Sequence, residues 1–200
     1  EQALYRVDNA DVPASTLVTA GAEGALSNTA AWIRLSSNNT SQPSSISRNI
    51  CTTQCFYDLV VAVPEGQPDT VVLGGVAAPV FGEATIRSTN AGQTFSGFGN
   101  DAQNPRNTSH VDVRAVVFHP RNPRIAFVGS DGGVVRNDGA FVSNTGLCQS
   151  VAPFRNDPRC QVALSEVPRR LYFLNRGLQT MQFYNVAVDP RAPLRRLLGG

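Results

Sequence analysis

Hydrolysis of a glycosidic bond needs two carboxylates facing each other across a cleft at roughly 5 to 10 Å, and four aspartates stand out as candidates. Asp131 lies in the glycine-rich run Ser130-Asp131-Gly132-Gly133, while Asp58, Asp112 and Asp189 lie at or near the ends of apolar, β-branched runs. Spacing along a chain does not establish which carboxylates meet across strands. An aspartate in a Gly-rich turn also bonds its own backbone without any catalytic role. His110 and His119 are the only histidines. His110-Val111-Asp112 offers two same-side ligands if extended, but nothing nearby completes a set, so no metal and no cofactor are expected. Cys51 and Cys55 sit four apart in a polar loop, and Cys148 and Cys160 bracket a Pro-rich one. Four cysteines allow three pairings, of which the local one is the simplest. The rival is a four-cysteine zinc site, but neither spacing is the usual Cys-x-x-Cys. Disulfides would place the chain in an oxidising compartment, extracellular or periplasmic.

The elements that must position these groups repeat. Tyr57-Asp58-Leu59-Val60-Val61-Ala62-Val63-Pro64, Val113-Arg114-Ala115-Val116-Val117-Phe118-His119-Pro120 and Tyr184-Asn185-Val186-Ala187-Val188-Asp189-Pro190 are each an apolar run ended by proline. Each is followed by a short strand closing in glycine: Val71 to Gly75, Ile125 to Gly129, Leu194 to Gly200. Proline cannot donate to a ladder and fixes its own φ, so it marks the end of the first strand. A third strand follows at Ile86-Arg87-Ser88 and Val135-Arg136-Asn137, and Tyr5-Arg6-Val7-Asp8 fits the same pattern. A period of about 50 residues built from short strands is the signature of a β-propeller, whose units bury their faces only against neighbours.

Ser88-Thr89-Asn90-Ala91-Gly92-Gln93-Thr94-Phe95 resembles the Asp-box, the Ser-x-Asp-x-Gly-x-Thr-Trp hairpin of sialidases, sortilin-type receptors and xyloglucanases, with Asn90 for the acid and Phe95 for the tryptophan. Ser88, Asn90, Gly92, Thr94 and Phe95 are expected to fold the turn. A side-chain carbonyl still bonds turn N–H groups, Gly92 takes positive φ, and an aromatic still wedges into the apolar layer. His119-Pro120-Arg121-Asn122-Pro123 with Val128-Gly129-Ser130-Asp131-Gly132-Gly133-Val134, and Leu174-Asn175-Arg176-Gly177-Leu178 with Gln182-Phe183-Tyr184, are similar to segments of Asp-box proteins related to xyloglucanases. The resemblance makes Asp131 the leading candidate acid, and it implies that first-strand residues such as Asp58, Asp112 and Asp189 line a channel. Sialidase chemistry fits less well, since Tyr5-Arg6-Val7-Asp8 lacks the proline of the Arg-Ile-Pro segment that family would need.

The chain contains no lysine, and all 17 basic residues are arginine. Lysine is ordinarily common, so its absence points to a GC-rich, bacterial coding bias. A net charge of +2 with interspersed acids argues against a nucleic-acid partner. Arg169-Arg170 and Arg195-Arg196 read as solvated edges. No stretch reaches transmembrane length. The sequons at Asn38, Asn39 and Asn107 reflect Ser/Thr/Asn richness, and Trp32 is expected to pack in a core.

The expected fold is all-β: a partial β-propeller of four-stranded antiparallel blades, a piece of a larger protein of seven or eight blades or of two propellers. Residues 1–35 would form the outer half of a blade, 57–98 a full blade, 113–175 a full blade with a disulfide-bearing insertion, and 183–200 the start of the next. The insertions at 9–30, 36–56 and 144–170 are the expected contact surfaces for a protein or glycan partner. Together these readings favour a binding or scaffold module, with a secreted glycoside hydrolase as the alternative.

Overall fold

In the computed structural model, residues 2–8, 10, 11, 13, 32–76, 84–177, 186–191 and 197–199 are described. The N-terminal ladder pairs β1 (Tyr5–Val7) with β2 (Trp32–Arg34). Next come β3 (Val60–Ala62), β4 (Val71–Gly74), β5 (Thr85–Ser88) and β6 (Ser96–Gly97), hydrogen-bonded antiparallel in sequence order. A second four-stranded antiparallel sheet has β7 (Val113–His119), β8 (Asn122–Ser130), β9 (Gly133–Asn137) and β12 (Leu171–Phe173) in that order. Between β9 and β12 lies an insertion holding a short ladder of β10 (Phe141–Val142) with β11 (Val167–Pro168), and two short helices, α1 (Leu147–Ser150) and α2 (Pro158–Ala163). Finally β13 (Val186–Val188) pairs with β14 (Leu197–Gly199). The chain is mostly sheet, with several antiparallel sheets and few helices. Gln182-Phe183-Tyr184, Arg195-Arg196 and most of 9–30 lie outside the described residues.

Strand alternation sorts the apolar side chains into two layers. On one side of the first sheet, Val72, Ala84 and Phe98 pack with Val113, Ala126 and Val128 of the second, joined by Val60, Val116 and Phe118. On the other, Leu73, Ile86 and Phe95 pack with Ile46 and Ile50 of the 36–56 insertion and Ala163 of α2. Both faces of the first sheet are therefore covered, and all four residues of β5 are buried. Each large aliphatic or aromatic side chain so buried contributes about 1.5–3 kcal/mol. Two of the three insertions expected to be contact surfaces thus supply core residues as well.

The glycines that close the first sheet's second strand have a packing reason. A Cβ on Gly74 would run into Val113, and one on Gly75 would strike the backbone of Ile50. Val76 N–H donates to Ile50 O at 2.8 Å, and Val113 N–H donates to Gly75 O at 3.0 Å. The insertion and the second sheet both approach β4 where it lacks side chains.

Trp32 corrects an expectation, because it is 40% exposed. On β2 the period of two buries Ile33 completely, which turns Trp32 to the opposite face. No helix among the described residues is long and apolar enough to cross a membrane.

Candidate functional site

Three of the four candidate aspartates converge where the two sheets meet. Asp58 immediately precedes Leu59 and β3, Asp112 immediately precedes β7, and Asp131 sits in the turn between β8 and β9. Between them lies Arg114 of β7, whose Nε donates to Asp131 Oδ1 at 3.2 Å and stands 3.3 Å from Asp58 Oδ1. Its guanidinium carbon lies 3.2 Å from the centre of the Tyr57 ring. Arg114 was not singled out in the sequence. The available signal is a charged residue inside the apolar run Val113–His119.

The charge balance of this cluster is unusual. Asp58 has no exposed surface, and neither of its carboxylate oxygens accepts a hydrogen bond among the described residues. Burial pushes its pKa above the ordinary value, and the negative charges of Asp112 and Asp131 push it further the same way. The Nη2 of Arg114 is also buried without a hydrogen bond among the described residues. Such a group holds a proton readily, but it cannot deliver one to a substrate while it stays covered. Asp131, with 43% of its side chain exposed, is the reachable carboxylate, and Arg114 neutralises it.

Same-side placement of His110 and Asp112 requires an extended backbone, whereas Asp112 has φ +61°. His110 Nδ1 donates to Val111 O at 2.8 Å, a carbonyl that can only accept. His119 Nδ1 accepts from Arg121 N–H at 3.2 Å. Among the described residues no group of three or more His, Cys, Asp or Glu could hold a metal ion. Asp189 is remote in sequence on the turn after β13, and it pairs with Arg191 at 3.2 Å.

Beside Asp131 opens a cleft of about 470 Å³ whose lining combines Val111, Val135 and Phe173 with Ser109, His110 and Gly132. The Asn175 side chain holds the turn at Gly132, accepting from Val134 N–H at 2.8 Å and donating to Gly132 O at 2.7 Å. The Ser109 hydroxyl is buried without a hydrogen-bond partner among the described residues.

The Ser88–Phe95 segment forms a closed network. The Ser88 hydroxyl donates to Asn90 Oδ1 at 2.9 Å and accepts from Gly92 N–H at 2.9 Å. Asn90 Oδ1 also accepts from Thr94 N–H at 3.0 Å, and its Nδ2 donates to Thr94 Oγ1 at 2.8 Å. Ala91 and Gly92 both take positive φ, which Gly92 does without strain. Phe95 is 1% exposed. The polar groups bond within the turn, and Phe95 packs in the layer with Leu73 and Ile86.

Disulfides join Cys51 to Cys55 and Cys148 to Cys160, with Cα–Cα distances of 4.8 and 5.9 Å. They fit an oxidising compartment. Cys148 and Cys160 pack with Leu164 and Val167 as a small core of their own. From that insertion Glu166 reaches Arg87 on β5 at 3.1 Å, and Arg87 also lies over the Phe141 ring at 4.0 Å.

Away from the inter-sheet core, alternate residues of the two first strands face outward. Val61 on β3 is 57% exposed and Val117 on β7 61%, with Leu59 and Val63 also exposed. The two strands are neighbours, so these side chains form an apolar row beside the aspartate cluster. Phe56 is 89% exposed at one end of it.

Compared with known proteins, the chain matches no protein-family model, no curated protein and no solved structure.

Proposed function

We propose that this chain is part of an exported Asp-box β-propeller that works as a binding or scaffold module in a protein assembly or at a cell surface. The observation that carries the reading is the exposed apolar row of Leu59, Val61, Val63 and Val117, since contiguous apolar surface of this kind marks an interaction site. The closed hydrogen-bond network at Ser88–Phe95, the two sheets in sequential strand order and the two disulfides support the propeller and its export. Partner contacts extend to the inserted loops 9–30, 36–56 and 144–170, and the partner is a protein or a glycan. The test is surface-specific crosslinking: with a photoreactive residue at position 61 or 117 of the full polypeptide, a defined partner should be captured on the producing cell. The same residue at exposed Thr89, in the Ser88–Phe95 turn and outside both the row and the inserted loops, should capture it less. Equal capture from all positions, or none, would sink the apolar row as the contact.

A glycoside hydrolase of xyloglucanase-like type is the second reading, and one observation favours it. The Asp58 and Asp131 oxygens both lie close to Arg114 Nε, which keeps them at or below the roughly 5 to 9.5 Å separation of glycosidase carboxylate pairs. Against it stand the covered Asp58 and the arginine between the two acids. Release of reducing ends from xyloglucan, lost on Asp131→Asn, would establish this reading in place of the first.

A further inference from the structure

Among the described residues the outer edge of β12 is open at Phe173 and used at Leu171. Leu174 N–H donates to Val134 O at 2.9 Å and Asp138 N–H donates to Arg170 O at 3.2 Å. Antiparallel alternation therefore turns the backbone groups of 170, 172 and 174 toward β9, and those of Leu171 and Phe173 outward. Along the approach to this edge the chain supplies its own partners. Ala102 N–H donates to Pro168 O at 3.0 Å, Gln103 N–H to Arg169 O at 3.3 Å, and Leu171 N–H reaches Asp101 Oδ2 at 3.1 Å. The N–H and C=O of Phe173 have no partner among the described residues.

The open position faces a prepared space. The cleft lined by Phe173, Val135 and Val111 lies beside it, large enough for an apolar side chain. His110 also lines it. Arg176, exposed in the turn after β12, has no ion-pair partner among the described residues. Unpaired strand groups next to a side-chain pocket are the chemistry by which an edge takes up a further strand.

We propose that the edge of β12 at Phe173, with the cleft beside it, is a strand-addition site for an extended peptide segment of a partner protein, which places an apolar side chain in the cleft and a carboxylate against Arg176. This rests on the binding reading and names a class of partner for it. The probe is a set of labelled pentapeptides, acetyl-Glu-X-Val-X-Glu-amide with X as Thr, Val or Phe, titrated into the full polypeptide by fluorescence anisotropy. At least one member should bind. N-methylation of its central valine, or of both X residues, should weaken binding at least tenfold for one of the two patterns and less for the other, because alternate N–H groups face the edge. Thr108→Trp, at an exposed position on the cleft wall, should abolish binding, and Arg176→Glu should weaken it about tenfold. No binding by any member, equal binding of both methylated forms, or full binding to a folded Thr108→Trp variant overturns the proposal. Xyloglucan hydrolysis would instead overturn the binding reading, so the two failures are separate results.

Discussion

Arg114 Nε stands 3.3 Å from Oδ1 of Asp58, a carboxylate with no exposed surface. The pair joins the segment leading into β3 to β7, so it ties one sheet to the other. A buried ion pair does not stabilise by existing, because removing both charges from water costs several kcal/mol per ion before any attraction is counted. Here the carboxylate gains no hydrogen bonds to offset that cost and faces two further aspartates, while its one cation is shared with Asp131.

Asp58→Asn should therefore leave the fold at least as stable at neutral pH. The folded pKa of Asp58 lies above the unfolded value of 3.8. Its contribution to stability is complete below that value and is lost as pH rises through the folded pKa. Asparagine has no such loss. Thermal melts from about pH 3.5 to 8 should show the two chains alike in acid, with the variant melting a few degrees higher at neutral pH. A variant that melts lower at neutral pH would mean that pairing with Arg114 outweighs burial.

Gly74→Ala should destabilise the chain by about 1–3 kcal/mol, the usual range for overpacking. The new methyl meets Val113 of the neighbouring sheet, which is itself fully buried. Adding Val113→Ala should restore part of the loss, so the double variant should be more stable than the sum of the single effects. Denaturant midpoints of the four chains measure this, and strict additivity would place the strain elsewhere.

Phe95→Ala should cost about 3–5 kcal/mol, since it empties the centre of a layer shared by β4, β5, the 36–56 insertion and α2. Asn90→Ala should cost about 1 kcal/mol for its turn hydrogen bonds. Asn90→Asp should be nearly neutral, because the Thr94 hydroxyl can then donate where it now accepts. Chemical denaturation ranks the three, and a large loss for Asn90→Asp would show that the amide donor to Thr94 matters more than the shared acceptor.

The strands were legible because their signals are local. The runs ending in Pro64 and Pro120, the Arg87 and Arg136 strands and the Asn90 turn each depend on a few adjacent residues. The short cysteine loops were legible for the same reason. The site was legible only as a set of separate aspartates. Asp58, Arg114 and Asp131 meet through the packing of two sheets, which alternation within any one strand does not encode. Trp32 was misjudged because an aromatic in a strand pattern says nothing about which face it takes until Ile33 is seen to fill the core. The core role of Ile46 and Ile50 was hidden inside a polar loop, where two isoleucines are too few to show a period.

The two disulfides should differ sharply in what they hold. The Cys51–Cys55 bridge spans a sequence separation of 4 and the Cys148–Cys160 bridge one of 12. On a chain-entropy basis the longer loop is worth about 2–3 kcal/mol and the shorter one less. Location widens the gap. The longer bridge lies in the same insertion as α2 and Glu166, which reach both faces of the first sheet, Ala163 on the Leu73–Ile86 face and Glu166 at Arg87 on the other. Loosening that insertion uncovers Ile46, Leu73, Ile86 and Phe95 together. Replacing Cys148 and Cys160 by serine should therefore lower stability by more than the loop estimate, and it should speed hydrogen exchange at β4 and β5. The same replacement at Cys51 and Cys55 should leave β5 protected. If exchange quickens only within 144–166 when the longer bridge is removed, the insertion is an appendage, and the first sheet holds its core without it.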